Sequence, residues 1–242
     1  MRAMPQRFEP ADWPAPLRVL VLAPHPDDFD AIGVTLRWLA AHGHALHLAV
    51  LTAGHSGVDD GFQGAHDAEA KAALREREQL ASCRFFGLPA ERCHFLRLWQ
   101  DPSREAEDAD RLRKLALAVQ PQCVFMPHGN DSNATHRRCF QAFDALARAE
   151  RLTLQACLNQ DAKTQGLRQD LVMPFGEAEA AWKATLLRHH DSQQQRNLRT
   201  RGHGFDARVV QLNREAAAAL GLPEPYAEVF ELARYAEGRR TD

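Results

Sequence analysis

Several things are scarce in this chain. Five cysteines (Cys83, Cys93, Cys123, Cys139, Cys157) lie scattered over 242 residues with no CxxC pair. An odd, dispersed set argues against a disulfide framework and for a reducing compartment. No apolar run approaches the roughly 20 residues that a membrane span requires. The opening MRAMPQRFEPADWPAP has no continuous apolar segment, so it does not read as a signal peptide. These absences lead to the expectation of a cytoplasmic protein. Formal net charge is only −2, so no chain-wide field draws the molecule to nucleic acid or to an anionic membrane. There is no GxxxxGK[ST] phosphate loop, no HExxH and no GxSxG. The first strand-like run is not followed by GxGxxG, which removes the main support for a dinucleotide site.

What is present is a 45% hydrophobic chain, long enough for one large core. LRVLVLA (17–23) is a short apolar run of the kind a doubly buried strand needs. VTLRWLAAHG carries helical spacing with Gly43 as a stop. HALHLAVLT (44–52), HFLRL (94–98) and CVFMP (123–127) read as further strands. The segments 68–87, 105–119 and 137–149 read as helices between and after them. LTLQACLN and LRQDLVMPF are candidate strands, and EAEAAWKATLLRHHDSQQQ reads as one amphipathic helix. Such alternation implies an α/β fold, a single Rossmann-like domain with a mostly parallel sheet flanked by helices. Residues 1–16 are expected to form an irregular arm and residues 17–242 the domain.

In such a sheet, ligands bind beyond the carboxyl ends of the strands. Two polar loops fall there. HPDDFD (25–30) packs a His and three acids into six residues after the first strand, and HGNDSNATH (128–136) follows the strand at 123–127. His and Asp are standard zinc ligands, and a catalytic zinc takes about three of them. The loops offer His25, Asp27, Asp28 and Asp30, and His128, Asp131 and His136. An ion held there would lower the pKa of a bound water towards about 7, and a free carboxylate would accept its proton. The plain structural reading is that His25 and its neighbouring acids only cap the following helix. A two-metal phosphoesterase, built from Asp27, Asp28, Asp30 and Asp131, is a third reading.

PHPDD (24–28) resembles the AHPDDE signature of the LmbE-like, or PIG-L, zinc-dependent N-deacetylases, which act on N-acetylglucosamine-type sugars and their conjugates. The likeness continues along the chain through LTAGHSG (51–57), REREQLASCRFFGL (75–88), PQCVFMPHGNDSNATHRR (121–138), HHDSQ (189–193) and YAEVFEL (226–232), in the family's order. The resemblance implies zinc as cofactor, with His25, Asp28 and His136 as ligands and Asp27 as general base. It also implies that Arg75 and Asp101 contact substrate and that His190 takes part through its H-x-S-Q element. Phe29 stands where the family usually has Glu. Asn133 stands where many members have a His beside the oxyanion, so His128 or His190 is an alternative acid. A catalytically impaired metal- or sugar-binding relative is therefore the alternative within the family. Loops 54–67 and 160–176 are expected to select a small N-acylated sugar or glycoconjugate, with no nucleic acid partner, no membrane span, and self-association left open. Trp38, Phe125 and Cys139 are expected in the core. Trp99 is read as core, with a sugar-floor role as the alternative.

Overall fold

The computed structural model describes residues 4–14 and 16–241. Strand β2 (Arg18–Ala23) shows how the sequence builds the sheet. Val19, Val21 and Ala23 enter one hydrophobic cluster, while Leu20 and Leu22 enter another. Side chains alternate across a strand, so an apolar run with no polar positions is what burial on both faces demands. Cys123, Phe125 and Cys157 join the first cluster, and Val124, Met126, Ala156 and Leu158 the second, repeating the pattern in β5 (Cys123–Pro127) and β6 (Leu154–Asn159).

The other strands are β1 (Gln6–Arg7), β3 (Ala45–Val50), β4 (Cys93–Phe95), β7 (Leu171–Phe175), β8 (Tyr226–Ala236) and β9 (Arg239–Thr241). Their order across the sheet is β1-β7-β8-β6-β5-β2-β3-β4, with β9 added on β8. Strands β2 to β6 pair in parallel, and β8 runs antiparallel to β6 and β7. From β2 the chain crosses to β3 on one side, and later places β5 on the other. Val21 lies level with Phe125 in the β2–β5 register. The loops after these two strands therefore leave the sheet side by side, at the point where the strand order reverses.

The helices are α1 (Gly33–Ala41), α2 (Ala68–Phe86), α3 (Glu105–Val119), α4 (Ala134–Ala149), α5 (Glu177–Leu187), α6 (Asp191–Arg201) and α7 (Phe205–Leu220). Among the described residues no helix is long and apolar enough to cross a membrane. Three expectations are revised. The single helix expected over 177–195 is broken at Arg188–His190 into α5 and α6. The amino-terminal arm is not wholly irregular: β1 pairs with β7, and Phe8 and Trp13 are buried in the main cluster. The acids after β2 do not cap α1. The Glu228 carboxylate from β8 does so, accepting from Val34 N at 3.1 Å and Thr35 N at 2.8 Å.

Candidate active site

The loop after β2 and the start of α4 bring His25, Asp28 and His136 together, with one ligand atom from each within 4.8 Å of the others. Asp28 stands between the two imidazoles. Its Oδ2 lies 3.2 Å from His25 Nδ1 and accepts from the His25 amide at 2.8 Å, and its Oδ1 lies 3.7 Å from His136 Nε2. A tetrahedral ion with bonds of about 2.1 Å separates its ligands by about 3.4 Å, so the donor set fits a zinc-sized cation. On the far side of its ring, His136 Nδ1 faces Asp131 Oδ2 at 3.3 Å. That contact fixes the tautomer with Nε2 free, as ligand imidazoles require. Asp131 is itself held by the amide of Asn133 at 2.7 Å.

The electrostatics point the same way. Burial opposes charge on His136, but the carboxylates of Asp28, Asp131 and Asp161 overcome it and push the imidazole up to about 9. Asp28 is likewise opposed by burial, yet its two His neighbours hold it below the usual carboxylate range. A field that stabilises a proton on His136 also stabilises a divalent cation at that place. Asp161, which was not singled out in the sequence, reaches the same cavity 4.0 Å from His136 Nδ1, and burial raises its carboxyl.

Asp27 is adjacent but turned differently. Its backbone sits at φ 120°, a conformation L-residues rarely adopt. Two groups from α2 hold it there: Gln79 Oε1 accepts from its amide at 2.9 Å, and Arg75 Nη2 donates to its Oδ2 at 2.8 Å. Arg75 also donates to the Pro26 carbonyl and, at 3.4 Å, to Ser192 Oγ. Glu78 lies 3.6 Å from the guanidinium and accepts from Ser192 N and Oγ at 2.6 and 2.7 Å. Arg75, Glu78, Gln79 and Ser82 lie at helical spacing, so α2 lays a polar, buried stripe under the loop. Gly54 completes the support. At φ +62°, a Cβ there would meet Pro26 Cδ at 2.9 Å.

Several expectations need correction. Arg75 lines the cavity, but its guanidinium is buried and committed to Asp27 rather than turned outward. Asp101 is exposed, accepts from Ser103 N at 2.9 Å, and does not line the cavity. His190 is wholly buried, with Nε2 on Asp30 Oδ2, and is likewise absent from the cavity wall. His128 is turned to Glu231, its Nε2 3.3 Å from Oε2. Asp30 is buried among His190, Ser82 and Gln79. It therefore cannot replace the Glu missing at Phe29, nor join a two-metal cradle. Phe29 itself packs edge-on to Phe86 at 5.0 Å, in the core. Asn133 does line the cavity, where its Oδ1 caps α4 by accepting from Thr135 N at 3.0 Å. Trp99 is partly buried, with the Arg138 guanidinium 4.8 Å from its ring, away from the site.

A model of the family described as PIG-L, GlcNAc-PI de-N-acetylase, matches residues 20–147, just over half of the chain. This chain belongs to the PIG-L family. The matched span contains His25, Asp27, Asp28, Arg75, Asn133 and His136, while α6 and α7 lie outside it. A glucosamine-6-phosphate deaminase-like protein of Bacteroides thetaiotaomicron is 26% identical over 195 residues, covering 57% of this chain. The match takes in 28% of that relative's own length. Among solved structures, the N,N'-diacetylchitobiose deacetylase of Pyrococcus horikoshii superposes with a TM-score of 0.71 at 20% identity, over 91% of this chain and 84% of that one. GalB, the 4-carboxy-2-hydroxymuconate hydratase of Pseudomonas putida, gives 0.68 at 18% identity, over 88% and 95%. At these identities the likeness establishes a common fold, and the two neighbours are named for a deacetylase and for a hydratase.

Proposed function

We propose that this PIG-L chain is a zinc-dependent N-deacetylase acting on an N-acetylglucosamine-type amino sugar or its conjugate. The observation that carries this is the meeting of His25, Asp28 and His136 beside a separately held Asp27. A zinc ion held by those three side chains would acidify water and polarise an amide carbonyl. The protein's own groups supply the rest. Arg75 occupies Oδ2 of Asp27 and leaves Oδ1 as the oxygen that takes a proton from the attacking water. Once protonated, Asp27 Oδ1 returns that proton to the departing amine. Asn133 Oδ1 is committed to the helix cap, so its amide NH₂ is the part left to steady the carbonyl oxygen. It has no proton to give up, so in this reading Asp27 serves as the acid as well.

The test is acetate release from a panel of N-acetylated amino sugars by zinc-loaded protein, with zinc counted per chain. Turnover with one zinc per chain supports the reading. Stoichiometric zinc without acetate release from any member would point instead to a binding protein on the same fold.

A further inference from the structure

The walls of the cavity, which encloses about 610 Å³, differ in charge. The chain as a whole is slightly acidic, yet several cations face this one space. Two of them are matched: Arg75 by Asp27, and Arg208 by Asp161 at 3.7 Å. Lys163, Arg196 and Arg201 line the same space, and no carboxylate among the described residues forms an ion pair with any of them. Arg196 Nη1 donates to the Gly57 carbonyl at 3.0 Å, a neutral acceptor that orients the guanidinium without cancelling its charge. Helix α6 sorts its arginines. Arg199 leaves the cavity and pairs with Asp59 at 2.7 Å, whereas Arg196, Asn197, Thr200 and Arg201 line it, at i, i+1, i+4 and i+5.

Unmatched cations facing one cavity repel one another until an anion enters. Guanidinium groups favour phosphate and carboxylate in particular, because their donors form a fork. The reacting N-acetyl group is neutral, so it is not what this wall recognises. A space of this size accepts a sugar together with a charged substituent. We infer that the substrate carries a phosphate or carboxylate remote from its N-acyl group, held by Lys163, Arg196 and Arg201. The identity of the N-acyl sugar rests on the deacetylase reading, but the anion site stands on its own observations.

Two measurements on zinc-loaded protein test it. The first compares kcat/KM for N-acetylglucosamine, its 1-phosphate, its 6-phosphate and N-acetylmuramic acid at low salt. At least one charged member should exceed the neutral sugar about tenfold or more, and the phosphate and carboxylate arms identify the source of the charge. The second measures, by calorimetry, the binding of glucosamine 6-phosphate, glucosamine 1-phosphate and muramic acid against glucosamine, which needs no turnover. At least one charged sugar should bind about tenfold tighter, and added salt should erode the difference. Replacing Lys163 and Arg201 together by Gln should bring both ratios close to one, with the thermal midpoint checked for folding. Equal binding of every charged and neutral sugar overturns the inference, as does a preference that survives K163Q/R201Q. Acetate release from no substrate, with anion-selective binding intact, would remove the deacetylase reading and leave this one standing.

Discussion

Two neighbouring carboxylates, Asp27 and Asp28, sit in different settings: α2 pins the first, while two imidazoles bracket the second. That difference sets the outcome of single substitutions. Asp27→Asn keeps the backbone contact to Gln79 and all three metal-binding side chains. It should lower kcat about 10²- to 10⁴-fold while zinc content, read by atomic absorption, stays at one per chain. His136→Ala should lose zinc and turnover together. Asp131→Ala removes the partner of His136 Nδ1 and should weaken zinc about 10- to 100-fold, measured by competition with a chromogenic chelator. If Asp27→Asn lost zinc as well, the division of labour between the two acids would be wrong. The meeting of His25, Asp28 and His136 was legible in the sequence because HPDD and NATH carry His and Asp within a few residues. Asp161 was not, since an isolated Asp in a loop gives no local signal, and only the turn held by Thr164 and the β-bridge from Asp131 to Thr164 bring it near.

At the level of elements, the sheet was readable where a strand is buried on both faces, as over 19–23 in β2 and in β5, because buried positions on both faces exclude charged side chains. Helix α3 was readable over its full length, 105–119. The break between α5 and α6 was not, for it contains neither Gly nor Pro. It occurs where His190 abandons helical geometry to place Nε2 on Asp30, across 160 residues of sequence. Helix α7, bounded by Gly204 and Gly221, went unread although its stops were visible. The His190–Asp30 contact joins the loop after β2, which carries His25 and Asp28, to the start of α6, which carries Arg196 and Arg201. His190→Ala would strand a buried carboxylate and should cost about 3–5 kcal/mol, read as a lower urea midpoint. Asp30→Asn with His190→Gln, which replaces the pair by two neutral amides, should recover much of that loss. If His190→Ala proved as stable as the parent but devoid of turnover, the side chain would belong to the chemistry after all.

Across the whole molecule, His136 and a set of histidines lowered by burial act on stability in opposite directions. Burial lowers His44, His47, His94 and His189, with Arg92 adding to it at His47 and neighbouring imidazoles contributing at His44, His47 and His189. Below about pH 6.5, the ordinary His value, the unfolded chain binds protons that these folded residues refuse. Stability therefore falls as the solution becomes more acid. His136 behaves in the opposite way. Its folded value, about 9 without a metal, lies above the unfolded one, so its contribution is complete below about pH 6.5 and is lost as the pH rises through 9. The difference amounts to about 3 kcal/mol at most. In EDTA, the urea midpoint should thus peak near pH 6.5 and decline on both sides. Zinc binds the neutral imidazole, so raising the pH strengthens its grip up to about 9. With zinc present, the alkaline decline should flatten or reverse and the peak should move upward. His47→Asn should reduce the acid slope without altering the alkaline one. A metal-free midpoint that rises from pH 6.5 to 8.5 would show that the three carboxylates do not hold a proton on His136, and with it the argument that their field is built to hold a cation would fail.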